Sequence, residues 1–268
     1  MGQKTQPRRL AFANQKGGVG KTATTLGIAS AIAARGKDVL IVDIDQQGNA
    51  TKGTGIVDTE GLVTTADLMS RAETGALERA IISTPWEGVD LVPADIRLGN
   101  IESDGSNDLV FRLDMAFEGV DLSAYTAVLF DCPPSLGKVL FSALIAADGV
   151  IAVTEPTIDS VEGVQNLITT LEGVKRRPNP RLVLDKIVIS RRRNIGEHIA
   201  REAELRDAYG DTVARTVITD LGARQDAHSE RKKMHDFRGG KALTLQVAYD
   251  DLLDELNLLP AQKQGKGA

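Results

Sequence analysis

The residues Lys16-Gly17-Gly18-Val19-Gly20-Lys21-Thr22 bring two lysines, three glycines and a hydroxyl into one short stretch. That combination can hold a polyphosphate. Glycines let the backbone turn tightly and approach a ligand closely. Their N–H groups, with the positive end of a following helix, make a cradle for phosphate oxygens. Lys21 would reach the β- and γ-phosphates, and the Thr22 hydroxyl would sit on a Mg²⁺ ion. Three carboxylates, Asp43, Asp45 and Asp131, stand at the ends of apolar runs further along. Phosphoryl transfer is mainly positioning and charge neutralisation; it needs Mg²⁺, a lysine on the phosphates and a group that orients the attacking water. These residue types supply such a set.

The elements that must position them follow from the pattern of the chain. Leu10–Ala13 is short and apolar and reads as a buried strand, and the apolar residues from Thr24 to Ala33 read as the helix after the loop. Strand, glycine loop and helix start are the context a phosphate-binding loop requires. Asp38–Asp45 reads as a second strand with carboxylates at its end, and Ala127–Asp131 as a third. Further strands are expected at Val89–Ala94, Gly149–Val153, Lys186–Ser190 and Val213–Ile218. Helices are expected around Thr65–Met69 and Ala76–Ile82, loosely over 97–117, and at Leu136–Ala147, Ile158–Val174, Glu197–Tyr209 and Ala242–Leu259. Strands alternating with helices predict an α/β fold with a mostly parallel twisted sheet covered on both faces. In such sheets ligands sit beyond the carboxyl ends of the strands. One domain is expected over residues 9–259, with a basic flexible N-terminus at 1–8 and a disordered polar tail at 260–268.

The loop departs from the general pattern G-x-x-x-x-G-K-[ST], which asks for glycine where this chain has Gln15. The stretch K-G-G-V-G-K-T instead resembles the deviant Walker A loop of the ParA/MinD family of P-loop ATPases. The resemblance implies that Lys16 reaches across a dimer to the partner's nucleotide. Asp131-Cys132-Pro133-Pro134 resembles the D-x-P-P pattern of that family, so Asp131 would hold Mg²⁺. Asp43-Ile44-Asp45-Gln46-Gln47-Gly48-Asn49 resembles its D-x-D-P-Q-G-N segment, with Gln46 replacing proline. By that match Asp45 would orient the lytic water and Asp43 would support the metal shell. The nucleotide would be held by residues 16–23: Lys16, Gly17, Gly18, Val19, Gly20, Lys21, Thr22 and Ala23. Ala23 stands where the family usually has a second threonine. Ser190 and Thr219 stand where asparagine and proline often frame the adenine.

Composition narrows the alternatives. The chain has 268 residues, a formal charge of −5 and 42% hydrophobic residues, enough for a sizeable core. There is no run of about 18 apolar residues to span a membrane, and the polar, basic Met1–Arg9 does not read as a signal peptide. The one cysteine, Cys132, can form neither an internal disulfide nor a cysteine-rich metal or iron–sulfur site; it reads as a core thiol. His198, His228 and His235 read as surface residues. The last helix carries Asp250, Asp251, Asp254 and Glu255, which an anionic bilayer would repel, unlike the basic membrane helix of MinD-like proteins. These features together read as a cytoplasmic protein.

Arg191-Arg192-Arg193 follow one expected strand, and Arg224, Arg231, Lys232 and Lys233 follow the last. Similarity to partition ATPases implies that Arg191, Arg192, Arg193, Arg224, Lys232 and Lys233 contact double-stranded DNA without sequence preference, placing the protein on the nucleoid. It also implies an ATP-dependent homodimer and a ParB-like adaptor that stimulates hydrolysis. The alternative is an ATP-switched scaffold that positions a protein cargo without touching DNA. A small-molecule kinase or amidoligase on the same loop would leave the clustered arginines unexplained.

Overall fold

The computed structural model describes residues 5–259. Residues 1–4 of the expected N-terminal segment and all of 260–268 lie outside the described residues, and Arg8 already opens the first strand. In chain order the first elements are β1 (Arg8–Ala13), α1 (Lys21–Ala34), β2 (Val39–Asp43), α2 (Asn49–Gly53) and α3 (Thr65–Ser70). Next come β3 (Ile82–Ser83), β4 (Val89–Val92), α4 (Leu98–Ile101), α5 (Arg112–Phe117), β5 (Ala127–Asp131) and α6 (Lys138–Ala146). The rest are β6 (Gly149–Thr154), α7 (Ser160–Arg176), β7 (Val183–Arg192), α8 (Gly196–Tyr209), β8 (Val213–Thr219), α9 (Ala223–Glu230) and α10 (Gly240–Glu255).

The strands form one sheet in the order β3-β4-β2-β5-β1-β6-β7-β8. All pairings are parallel except the short antiparallel edge pair of β3 with β4. Side chains alternate across a strand, so Leu10 and Phe12 enter one core layer with α1, α9 and α10. Ala11 and Ala13 enter the opposite layer with α3, α5, α6 and α7. Burial on both faces is why the central strands read as continuous apolar runs. The helix α1 is buried nearly all round, because α10 covers the side turned away from the sheet. Burying a Leu, Ile or Phe contributes about 1.5–3 kcal/mol, and these two layers are where the fold gains it.

Several expected boundaries change, each for a local reason. The expected helix over 97–117 breaks into α4, a 3₁₀ turn at Leu109–Phe111 and α5. Asp104 Oδ1 accepts the Ser106 N–H and hydroxyl, while Asp108 grips Arg112, so the middle is a side-chain-held loop. Ala76–Ala80 is a 3₁₀ turn rather than a helix to Ile82, and β3 had no alternation long enough to reveal it. The second strand stops at Asp43, where Asp43 Oδ1 accepts the Asp45 N–H and turns the chain. The strand β7 runs through Arg192, so Arg191 and Arg192 lie within it rather than after it. The closing helix ends at Glu255, not Leu259.

Candidate nucleotide site

The phosphate loop joins β1 to α1 in the middle of the sheet. Gly18 and Gly20 take left-handed backbone angles, φ +77° and +99°, that other residues adopt only with strain. Asn14, not anticipated from the sequence, braces the loop: its Nδ2 donates to Val153 O at 2.7 Å and its Oδ1 accepts the Lys16 N–H at 2.9 Å. An asparagine closing an apolar strand was the available signal. The loop ends at the N-terminus of α1, whose first N–H groups have no partners within the helix.

Lys21 is buried and lies along the inner wall of the loop, with Nζ donating to Lys16 O at 3.2 Å. Burial lowers its pKa, opposed by the charge of Asp131. Lys16 sits outside. Its Nζ reaches Thr157 Oγ1 at 3.1 Å and Asp159 at 3.7 Å, and 47% of its side chain stays exposed. The two lysines therefore occupy opposite sides of one backbone loop.

Asp43 and Asp131 close neighbouring strands and are both fully buried. Asp43 Oδ2 accepts the Thr51 N–H at 2.8 Å and its hydroxyl at 2.7 Å, while Oδ1 takes the Asp45 N–H. Oδ2 thus ties α2 to the sheet and Oδ1 holds the turn at Asp45. Burial pushes the pKa of Asp43 up to about 6. Burial, and then the charge of Asp43, raise Asp131 well above the ordinary carboxylate range, while the nearby Thr22 side chain acts the other way. Asp131 Oδ1 accepts from Thr25, and its Oδ2 is buried with no partner among the described residues. A buried anionic oxygen beside the Thr22 hydroxyl fits a Mg²⁺ that shares its remaining ligands with water and phosphate. Among the described residues no group of three or more such side chains forms a metal site unaided.

Asp45 opens onto a cavity of about 650 Å³ that is continuous with Gly17, Gly18, Gly20, Lys21 and Thr22. Its Oδ1 accepts the Gln47 N–H at 2.9 Å. Ala23 and Arg224 also line this cavity, and Val19 is buried behind the loop. A methyl group at Gly20 would stand 2.4 Å from the Ser190 hydroxyl, so Ser190 lies directly against the loop. The hydroxyls of Ser190 and Thr219 are buried without partners among the described residues.

The cationic residues separate into two groups. Arg191 and Arg224 turn inward: Arg191 Nη1 donates to Gly18 O at 2.7 Å, and Arg224 lies beside Gly20. Arg192 pairs with Glu202 at 3.4 Å on the flank of α8, while Arg193 is exposed. Lys232 pairs with Glu230 at 3.0 Å and Lys233 donates to Glu87 O at 3.2 Å. The histidines are not all superficial as expected. His198 is fully buried and its Nδ1 accepts the Arg193 N–H. His235 is half-buried, with Nδ1 2.7 Å from the Ser30 hydroxyl. Cys132 is a buried core thiol, as expected.

A glycine loop between a buried parallel strand and a helix, with an internal lysine and a strand-end aspartate beside it, defines the class of P-loop nucleotide-binding α/β proteins. Comparison with known proteins narrows the class. The AAA domain family AAA_31 matches residues 7–184. The chromosome partitioning protein ParA of Caulobacter vibrioides is 37% identical over 217 residues, covering 79% of this chain and 80% of that one. The chromosome-partitioning ATPase Soj of Thermus thermophilus is 38% identical over 216 residues, with 79% and 80% covered. The chain belongs to this ParA/Soj family of P-loop ATPases. Among solved structures, cobyrinic acid a,c-diamide synthase of Mycobacterium smegmatis with bound ADP and magnesium superimposes with a TM-score of 0.76 at 28% identity, covering 93% of each chain. An ATP complex of Cyanothece McdA gives a TM-score of 0.82 at 16% identity over 96% and 98%, a likeness of fold. No helix among the described residues is long and apolar enough to cross a membrane.

Proposed function

We propose that this protein is a Mg²⁺-dependent, ParA-like ATPase that partitions plasmid or chromosomal DNA. Two subunits close on two ATP molecules, the dimer binds DNA without sequence preference, and a ParB-like adaptor stimulates hydrolysis and release. The observation that carries this reading is the placement of the two lysines. Lys21 is committed to the interior of its own loop. Lys16 projects from the mouth with only exposed partners, free to move to a triphosphate presented by a second copy. Bound Mg²⁺ would neutralise phosphate charge, with Thr22 and Asp131 as its protein donors. Asp45, which lines the cavity, would orient a water and accept its proton.

The test is Lys16→Ala. It is expected to bind ATP and to remain monomeric by light scattering, with hydrolysis lost. A variant that dimerises and hydrolyses ATP at the wild-type rate overturns the proposal.

One observation favours the second reading, an ATP-switched scaffold for a protein cargo. Arg192 and Lys232 are partly neutralised by Glu202 and Glu230, which leaves Arg193 and Lys233 as the less encumbered cations for DNA. Binding of random duplex DNA with ATP at two salt concentrations separates the two readings. Phosphate contacts lower log affinity by about 0.9 per neutralised phosphate for each decade of salt. No binding at low salt supports the scaffold.

A further inference from the structure

Two arginines, one near the carboxyl end of β7 and one in the first turn of α9, converge on the phosphate loop and share one carboxylate. Arg191 sits at φ +55°, a left-handed angle uncommon for a side-chain-bearing residue. The register between β7 and β8 shifts just there, between Ile189 and Arg192. The kink turns its guanidinium off the sheet and onto the loop, where Nη1 donates to Gly18 O at 2.7 Å. Glu155 at 3.6 Å and Asp220 at 3.8 Å hold it from either side.

Arg224 lies in the first turn of α9. Its Nη2 lies 3.5 Å from Asp220 Oδ1, the same oxygen that faces Arg191. Its Nη1 is directed to the loop, 3.5 Å from where a Cβ on Gly20 would stand. Only 15% of the Arg224 side chain is exposed, and it lines the nucleotide cavity. A guanidinium so covered is poorly placed for the backbone of a DNA duplex. It is well placed for a polyphosphate lying along Gly18–Thr22. The Ser190 hydroxyl, buried and without a partner among the described residues, lies against the same glycine. The charges lining the cavity also favour an anion: Lys21, Arg224 and Lys232 stand against the one carboxylate of Asp45.

We infer that Arg224 is a nucleotide-binding residue and Arg191 a positioning residue for the phosphate loop, joined through Asp220, so that both serve the nucleoside triphosphate rather than DNA. This rests on the ATPase reading above. It assigns to the nucleotide two of the cations that sequence similarity assigns to DNA, and leaves the DNA surface to Arg192, Arg193 and Lys233, with Lys232 at the rim of the cavity. Arg191 to Lys is the informative conservative change, since an ammonium keeps the charge but not the forked donor geometry.

The experiment uses the full chain and a fluorescent N-methylanthraniloyl-ATP without DNA. Arg224→Ala is expected to weaken its binding at least tenfold, with Arg224→Lys recovering part of the loss. Arg191→Ala is expected to weaken it by a smaller factor, with Arg191→Lys recovering less than Arg224→Lys does. Arg215→Ala, a control at an exposed arginine of β8, should bind the nucleotide within twofold of wild type. In steady-state hydrolysis Arg224→Ala should raise KM by more than it lowers kcat, a split that general loss of fold does not produce. If Arg224→Ala and Arg191→Ala bind the analogue as wild type does and lose only DNA binding, the inference is overturned while the ATPase reading stands. Failure of wild type to bind the analogue would overturn both.

Discussion

Asp43 and Asp131 are register partners on the adjacent parallel strands β2 and β5, both fully buried. The first has both carboxylate oxygens engaged, whereas the second keeps one oxygen without a partner among the described residues. One strand-end carboxylate is thus bound into the scaffold on both oxygens and its neighbour on one. Like charges at this spacing in a dry interior raise each other's pKa.

Replacing Asp131 by Asn removes a buried charge that lacks a full set of partners. The free protein is expected to gain stability at pH 7, on the order of 1 kcal/mol, while Mg²⁺-dependent nucleotide binding is lost. Asp43→Asn should do the opposite to stability, because the Thr51 and Asp45 donors lose part of their acceptor. Denaturant unfolding of both variants, with nucleotide titrations in the presence and absence of Mg²⁺, checks the contrast.

Asp45→Asn keeps the acceptor for the Gln47 N–H and removes the basic oxygen facing the cavity. Turnover should fall about 10²-fold or more, with ATP affinity changed only a few-fold. Single-turnover hydrolysis alongside equilibrium binding measures the two separately. Equal losses in both would return Asp45 to a structural role.

Tyr249 of α10 is fully buried against Gly27 of α1, and its hydroxyl donates to Ala23 O at 3.1 Å in the first turn after the loop. A Cβ on Gly27 would stand 2.2–2.5 Å from the ring. Gly27→Ala should therefore cost about 1–3 kcal/mol, and Tyr249→Phe about 1 kcal/mol for the lost hydrogen bond. In a Gly27→Ala/Tyr249→Ala double variant the loss should be smaller than the sum of the losses of Gly27→Ala and Tyr249→Ala alone, since the clash is gone. Chemical denaturation of wild type, these two single variants and the double variant reads this directly.

His235 is held against Ser30 of α1, with Asp250 of α10 at 3.6 Å. Burial lowers its pKa below the ordinary 6.5, outweighing Asp250 and Asp236, and Arg35 lowers it further. The unfolded chain then takes up the proton before the folded one does. Stability from this group is present at neutral pH and is lost as the pH falls below about 6.5. The melting temperature of His235→Gln should fall less steeply between pH 7.5 and 5.5 than that of wild type. His228, lowered by burial and by Arg224 and Lys52, contributes in the same direction and is unchanged in the variant.

The sequence alone was sufficient for the phosphate loop, the parallel sheet and the strand-end carboxylates. These are local: a glycine loop needs particular residue types at fixed spacing, and a strand buried on both faces is an unbroken apolar run. Helix ends and the 97–117 region were less legible, because Asp104, Asp108 and Arg112 make a side-chain network there that periodicity does not report. Asn14 and Thr51 carried no motif, yet one braces the loop and the other occupies Asp43.

What the amino-acid order determined by itself was which residues could do the chemistry: Lys16, Lys21, Thr22, Asp45 and Asp131 are recognisable by type and interval. What only the tertiary structure decided was the direction each charge faces. Arg191 and Arg192 are neighbours in sequence, but a left-handed residue in β7 sends the first to Gly18 and leaves the second beside Glu202. The reason is physical. A charge settles where its distant partners lie, and Glu155, Asp220 and the Gly18 carbonyl come together only when three strands of the sheet align.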